Sequence, residues 1–206
     1  MKFIGITGGA GAGKSAILKY MEEHYPARIL LADELAHELM LPGSKCFDQI
    51  KETFGNEEIF LPQGGIDAGK FAEIIFSDDK KRMQLNKIVH PAVKKEILKQ
   101  VEEERKKNRI SYFILEAALL IEEGYDKICD ELWYIDTSEA NRRKRLKISR
   151  GYSDAKIDAI FSSQLSAEEY KKYCKTVIDN NGLLDETFDE IDKVFDRDRN
   201  EEKRNS

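Results

Sequence analysis

Six residues ahead of a lysine contain four glycines: Gly8-Gly9-Ala10-Gly11-Ala12-Gly13-Lys14-Ser15, which fits G-x-x-x-x-G-K-[ST]. Polyphosphate binding needs successive backbone N–H groups turned into one concavity. That takes positive φ and close approach, and glycine reaches both without a Cβ clash. A helix beginning near Lys14 adds the partial positive charge of its first turn. Lys14 is then placed to reach the β and γ phosphates of a nucleoside triphosphate, and the Ser15 hydroxyl to bind Mg²⁺. The plainer alternative is a glycine-rich turn that binds nothing. The strand-like run Phe3–Ile6 in front and the helical pattern behind argue against it.

A triphosphate loop serves switches, motors and kinases, so other residues must decide. A GTPase switch needs N-K-x-D after D-x-x-G. Here "NKIV" at Asn86–Val89 lacks the aspartate, and Asp179-Asn180-Asn181-Gly182 follows it in the wrong order. A motor would need more chain. A small-molecule kinase needs an acidic group beside the acceptor hydroxyl and a basic lid over the phosphates. Asp33 follows the apolar run "ARILLA", at the strand edge where open α/β sheets bind ligands. It could take a hydroxyl proton or serve as a helix N-cap, and the sequence leaves both open. The run Arg142–Arg150, "RRKRLKISR", has six basic residues in nine. It reads either as a solvated helix face or as a lid that captures phosphate charge.

The elements that must position these residues follow from the pattern of apolar runs. Phe3–Ile6, Ile29–Leu31, Tyr112–Leu115, Leu132–Ile135 and Thr176–Ile178 lack polar alternation, as expected of strands covered on both faces of a parallel sheet. Helical patterns lie between them, so the fold class is α/β with a parallel sheet of about five strands. Two helical excursions interrupt the alternation. The expected division is a core of residues 1–45, 108–140 and 173–195, a helical insertion over about 46–107, and a lid over about 141–172. The insertion contains "LPQGGIDAGK" and a helix opened by His90-Pro91. The tail 196–206 is charged, lacks apolar anchors and is expected to be disordered.

A formal charge of -5 over 206 residues argues against a broad nucleic-acid-binding face. The longest apolar runs are too short for a bilayer, and "MKFIGITGG" has no apolar leader region. Cys46, Cys129 and Cys174 suit neither a disulfide framework nor a zinc site. The expectation is a cytoplasmic protein, monomeric or a weak homo-oligomer, with no nucleic-acid or membrane partner.

Taken in order, the motifs resemble those of the dephospho-CoA kinase family. They are "GITGGAGAGKS", "LADELAHELMLPGS", "GGIDAGKFAEIIFSD", "LNKIVHPAV", "LEAALLIEEGYDKICDELWYID", "SQLSAEEY" and "VIDNNG", spanning Lys2 to about Phe195. The resemblance implies a three-layer P-loop kinase core with a helical CoA-binding domain and a small lid. It implies ATP and Mg²⁺ as cofactors and dephospho-CoA as substrate, phosphorylated on its ribose 3′-hydroxyl. Gly11, Ala12, Gly13, Lys14, Ser15 and Ala16 would hold the ATP phosphates, with the metal on Ser15. Asp33 would be the catalytic base, Arg145 would reach ATP from the lid, Asn180 would lie near the adenine, and His90 would belong to the acceptor site. For His90 the residues themselves also allow a helix N-cap ahead of Pro91. The chain departs from the family pattern in places. Ala16 stands where a threonine is common, and Ala68 where Asp67 is usually followed by arginine, with Lys70 a candidate substitute. Ala118-Leu119-Leu120 replaces a "PLL" stretch, and the second lid arginine comes one place late, as Arg150. Glu116 could hold the metal through water or simply end its strand. The rival readings are a related kinase acting on a nucleoside, nucleotide or sugar-like alcohol, and a non-catalytic or GTP-dependent nucleotide binder.

Overall fold

The computed structural model describes the backbone of residues 1–205 and the side chains of residues 1–200 and Arg204. The chain divides into two compact units, Met1–Ile29 with Arg109 onward, and Leu30–Asn108. Asp33 falls in the second of these units.

The strands are β1 (Lys2–Thr7), β2 (Ala27–Leu31), β3 (Tyr112–Glu116), β4 (Glu131–Asp136) and β5 (Thr176–Asp179). They form one sheet in the order β2-β3-β1-β4-β5. β1 runs parallel to β3, with Lys2 opposite Tyr112, and to β4, with Ile4 opposite Glu131. β4 is likewise parallel to β5. β1 is therefore flanked by the two later strands β3 and β4, so the segment leaving its carboxyl end opens at the point where the strand order reverses, the ligand edge of such sheets. The glycine loop is that segment.

Trp133 and Tyr134 show why these strands lack alternation. As neighbours in β4 they point to opposite faces. Trp133 packs on Phe195 of α9 (Leu184–Asn205), ring centroids 5.1 Å apart. Tyr134 stacks on Tyr170 of α8 (Ala167–Tyr173) at 4.8 Å. Both faces are covered by helices, so both must be apolar. Phe195 also meets Tyr112 at 4.4 Å and Tyr25 at 4.1 Å.

α9 does not stop at Phe195. Where the charged composition leads one to expect disorder from 196, the helix continues to Asn205, while Ser206 lies outside the described residues. The anchors are polar rather than apolar: Lys2 donates to Asp198 at 2.7 Å, and Arg199 lies over the Tyr25 ring. An Asp196–Arg199 pair at 2.6 Å adds support along the helix.

The remaining helices of the first unit are α1 (Lys14–His24), α6 (Glu139–Arg150) and α7 (Asp154–Ser162). Ser138 caps α6 by accepting from the Asn141 amide, and Gly151, at φ 62°, ends it. The break expected at "SRGYS" falls there.

The second unit holds α2 (Ala32–Leu39), α3 (Lys45–Phe54), α4 (Ala68–Ser77) and α5 (Asp79–Lys107). Phe54 and Phe71 pack edge-on at 5.4 Å in its interior. His90-Pro91 does not open a helix: α5 begins at Asp79, and its cap is Asp78, which accepts from the Lys80 and Lys81 amides. Val89, Val93, Ile97 and Val101 are buried at four-residue spacing on both sides of the proline. This continuous stripe outweighs the hydrogen bond that Pro91 cannot donate. Asn86, weighed above as a guanine reader, lies inside the same helix. Among the described residues, no helix is long and apolar enough to cross a membrane.

Candidate functional site

The glycine loop joins β1 to α1. Gly11 (φ 81°) and Gly13 (φ 88°) are left-handed, and a Cβ on Gly13 would lie 2.5 Å from Asn180 Nδ2. A Cβ on Gly11 would lie 2.8 Å from the Arg142 carbonyl, so both positions require glycine on conformation and on space.

The loop's donors and acceptors are treated differently. The Ala12 carbonyl receives Asn180 Nδ2 at 2.7 Å, a guanidinium nitrogen of Arg145 at 3.1 Å and Thr137 Oγ1 at 3.1 Å. The Ala10 carbonyl receives Arg142 Nε at 3.0 Å. By contrast, the amides of Gly11, Gly13, Lys14 and Ser15 find no acceptor among the described residues. A loop with pinned carbonyls and free amides at a helix N-terminus is a ready anion site. These residues fit a polyphosphate.

Lys14 lies along the loop, with Nζ donating to the Gly8 carbonyl at 2.6 Å and 3.4 Å from Glu116 at the end of β3. Ser15 is exposed in the first turn of α1, and its hydroxyl has no hydrogen bond among the described residues. A divalent cation arriving with a triphosphate fits this hydroxyl. Among the described residues, no group of three or more His, Cys, Asp or Glu side chains could hold a metal by itself.

The basic run separates by helix face. Arg145 donates to the carbonyls of Ala12 and Asn180, the latter at 2.8 Å. Arg142 lies against the other flank of the loop, its Cζ 4.2 Å from the Phe161 ring centroid, and burial lowers its pKa from the usual value. Arg143 instead faces Asp154 and Asp158, 3.1 and 2.5 Å away, and Lys147 faces Asp154. Those bonds raise the Arg143 pKa, and Lys147 and Arg143 together lower that of Asp154. Arg150 is exposed at the end of α6, and its nearby charge helps lower the pKa of Tyr152. Arg142 and Arg145 thus face the loop, while Arg143 and Lys147 pair with the acids of α7.

Asn180 is 3% exposed. Its amide nitrogen serves Ala12 and its amide oxygen accepts from Thr187 Oγ1 at 3.2 Å, so its side chain supports the loop from behind. The structure therefore gathers Gly11, Ala12, Gly13, Lys14, Ser15, Ala16, Arg145 and Asn180 in and around one loop. Arg142, Thr137 and Gln164 join them without having been singled out. Nothing in the spacing marks Thr137, Gln164 lies in the motif "SQLSAEEY" without a role assigned to it, and Arg142 is one of six basic residues in its run.

In the second unit, Asp33 is the second residue of α2 and exposed. The N-cap position is Leu31, and Asp33 makes no capping bond, so its cap reading is withdrawn. His90 is half-buried in the middle of α5, which removes its N-cap reading. Asp67 caps α4 through the Gly69 and Lys70 amides, and Lys70 stands exposed in that first turn.

Comparison with known proteins bears on the fold and the family. The structure of TT1252 from Thermus thermophilus superposes with a TM-score of 0.77 at 25% identity, covering 95% of this chain and 97% of that one. A shikimate kinase from Acinetobacter baumannii shares the fold alone, at a TM-score of 0.54 and 14% identity, over 95% of this chain and 91% of that one. The dephospho-CoA kinase of Aquifex aeolicus is 36% identical over 196 residues, 95% of this chain and 97% of that one. That of Symbiobacterium thermophilum is 34% identical over 95% of this chain and 80% of its own. The sequence model of dephospho-CoA kinase matches residues 2–186, and the chain belongs to that family.

Proposed function

We infer that this chain transfers the γ-phosphoryl group of ATP to the ribose 3′-hydroxyl of dephospho-CoA, giving coenzyme A and ADP. The observation that carries the phosphate half is the loop with four free amides and pinned carbonyls. The family match supports the acceptor.

In this reading the amides of Gly11, Gly13, Lys14 and Ser15 hold phosphate oxygens, and Lys14 leaves the Gly8 carbonyl for the β and γ phosphates. The Ser15 hydroxyl would hold Mg²⁺, which would supply neutralisation of the phosphate charge. Arg145, already anchored on the loop backbone, adds positive charge where it develops on the transferred group. The bond from the γ phosphorus to the β–γ bridging oxygen breaks as the bond to O3′ forms, and the hydroxyl proton passes to Asp33. His90 binds the acceptor. Because the transition state of such transfers is loose, positioning and electrostatics contribute more than base strength. Asn180 acts beneath the loop and lies near the adenine. We place the reaction in the cytoplasm, with a small-molecule acceptor and a monomer or weak homo-oligomer as the working state.

The test is ADP release with dephospho-CoA, uridine, thymidylate and shikimate offered separately as acceptors. The reading expects ADP with dephospho-CoA alone. Release with one of the other three and none with dephospho-CoA would replace it by a related kinase.

A further inference from the structure

Gln164 lies in the turn between α7 and α8 and has no part in the reaction described above. Its side-chain oxygen nevertheless accepts two hydrogen bonds that meet at the glycine loop. One comes from the Ala10 amide at 3.2 Å and the other from a terminal guanidinium nitrogen of Arg142 at 2.6 Å. Arg142 Nε in turn donates to the Ala10 carbonyl. The three residues form a closed ring of hydrogen bonds around both polar groups of Ala10. Those groups belong to consecutive peptide planes, so the ring fixes the backbone of Ala10 immediately before the left-handed Gly11.

The ring is itself held in place. The Arg142 guanidinium lies on the Phe161 ring of α7 and fills the space beside Gly9, where a Cβ would approach it to 2.3 Å. Ala12, two residues on, is held separately by Thr137, Arg145 and Asn180. The two residues that punctuate the glycines are therefore each fixed from outside. A glycine-rich segment without such ties samples many backbone states, and a ligand must order them on binding.

We propose that Gln164 is a positioning residue for the triphosphate: through the Ala10 backbone and Arg142 it holds the loop in its anion-binding conformation before ATP arrives. The proposal rests on the ATP reading of the loop and is independent of the acceptor.

The experiment compares Gln164→Met, which keeps the length but has no oxygen, with Gln164→Glu, which keeps an oxygen acceptor for both donors and pairs its charge with Arg142. Mg-ATP affinity is measured by titration calorimetry, the KM for dephospho-CoA by ADP release, and melting temperature on the same samples. Gln164→Met is expected to weaken ATP binding about tenfold, the scale of losing hydrogen bonds to an amide and a charged group. Its KM for dephospho-CoA should stay within about twofold, and Gln164→Glu should recover ATP binding to within about threefold of wild type. Unchanged ATP affinity in Gln164→Met overturns the proposal, including when melting falls, since that is a structural role only. Gln164→Glu binding as weakly as Gln164→Met also overturns it. If the ATP pattern appears but the wild type leaves dephospho-CoA untouched, the acceptor reading fails and the role of Gln164 stands.

Discussion

Asp33 and Lys14 are the two residues whose chemistry is easiest to separate from their structural contribution. Asp33 is exposed and makes no capping bond. Asp33→Asn removes only a carboxylate from the first turn of α2, a weak helix-dipole term, so melting should stay within about 3 °C of wild type. Loss of a general base typically lowers turnover by about 10²- to 10⁴-fold, and we expect turnover with dephospho-CoA to fall in that range with ATP affinity retained. A fall of less than about fivefold would remove Asp33 as the base. Lys14 differs because its ammonium already engages the Gly8 carbonyl and faces Glu116. Lys14→Ala should lower turnover by about 10²- to 10³-fold, as expected for one lost electrostatic contact to a transferring group. Near-normal turnover would sink the assignment of the loop as the ATP cradle.

At the scale of elements, α6 makes the most specific claim. One face carries Arg142 and Arg145 onto the loop, while Arg143 and Lys147 meet the acids of α7. Arg145→Ala should weaken ATP binding about tenfold and lower turnover, whereas Arg143→Ala, whose pairs are exposed, should leave ATP affinity within about twofold. Equal effects from the two would mean that the run acts only as diffuse charge. β1, β3 and β4 were legible because a strand covered on both faces reads as an unbroken apolar run, and the half-buried β2 and the short β5 as brief apolar runs. The loop was legible because its chemistry demands particular residue types at fixed spacing. The two sides of α6 were not, since arginines on opposite faces are identical in type and the acids of α7 that claim Arg143 lie beyond a turn. His90-Pro91 misled for a related reason. Proline at a helix start is a local preference, and the buried stripe that carries α5 past it is tertiary.

Across the whole molecule, the sheet places β1 between β3 and β4 and so presents the loop at the ligand edge, while Lys2 ties the first strand to α9. Lys2 joins Asp198 and Glu131, and Thr176 also donates to Glu131. Burial pushes the Glu131 pKa upward, but hydrogen bonds from Lys2 and Thr176 outweigh it and hold the carboxyl below its ordinary 4.5. A carboxyl depressed on folding contributes stability above its unfolded pKa, and that contribution is lost as pH falls through the folded value. Glu131→Gln should therefore melt about 2–4 °C below wild type at pH 7, and the difference should shrink as the pH is lowered below 4.5. A difference that stays constant down to pH 3 would mean that the Lys2 pairing adds nothing. The central claim, phosphoryl transfer from ATP to one hydroxyl of one acceptor, is tested most directly by identifying the product. The enzyme is incubated with Mg-ATP and dephospho-CoA, the product's mass is measured, and its phosphate is located by phosphorus–proton NMR coupling. The account predicts the mass gain of a single phosphoryl group, coupled to the ribose 3′ proton, with stoichiometric ADP. A phosphate at another position, or ADP formed while dephospho-CoA stays unmodified, would contradict it.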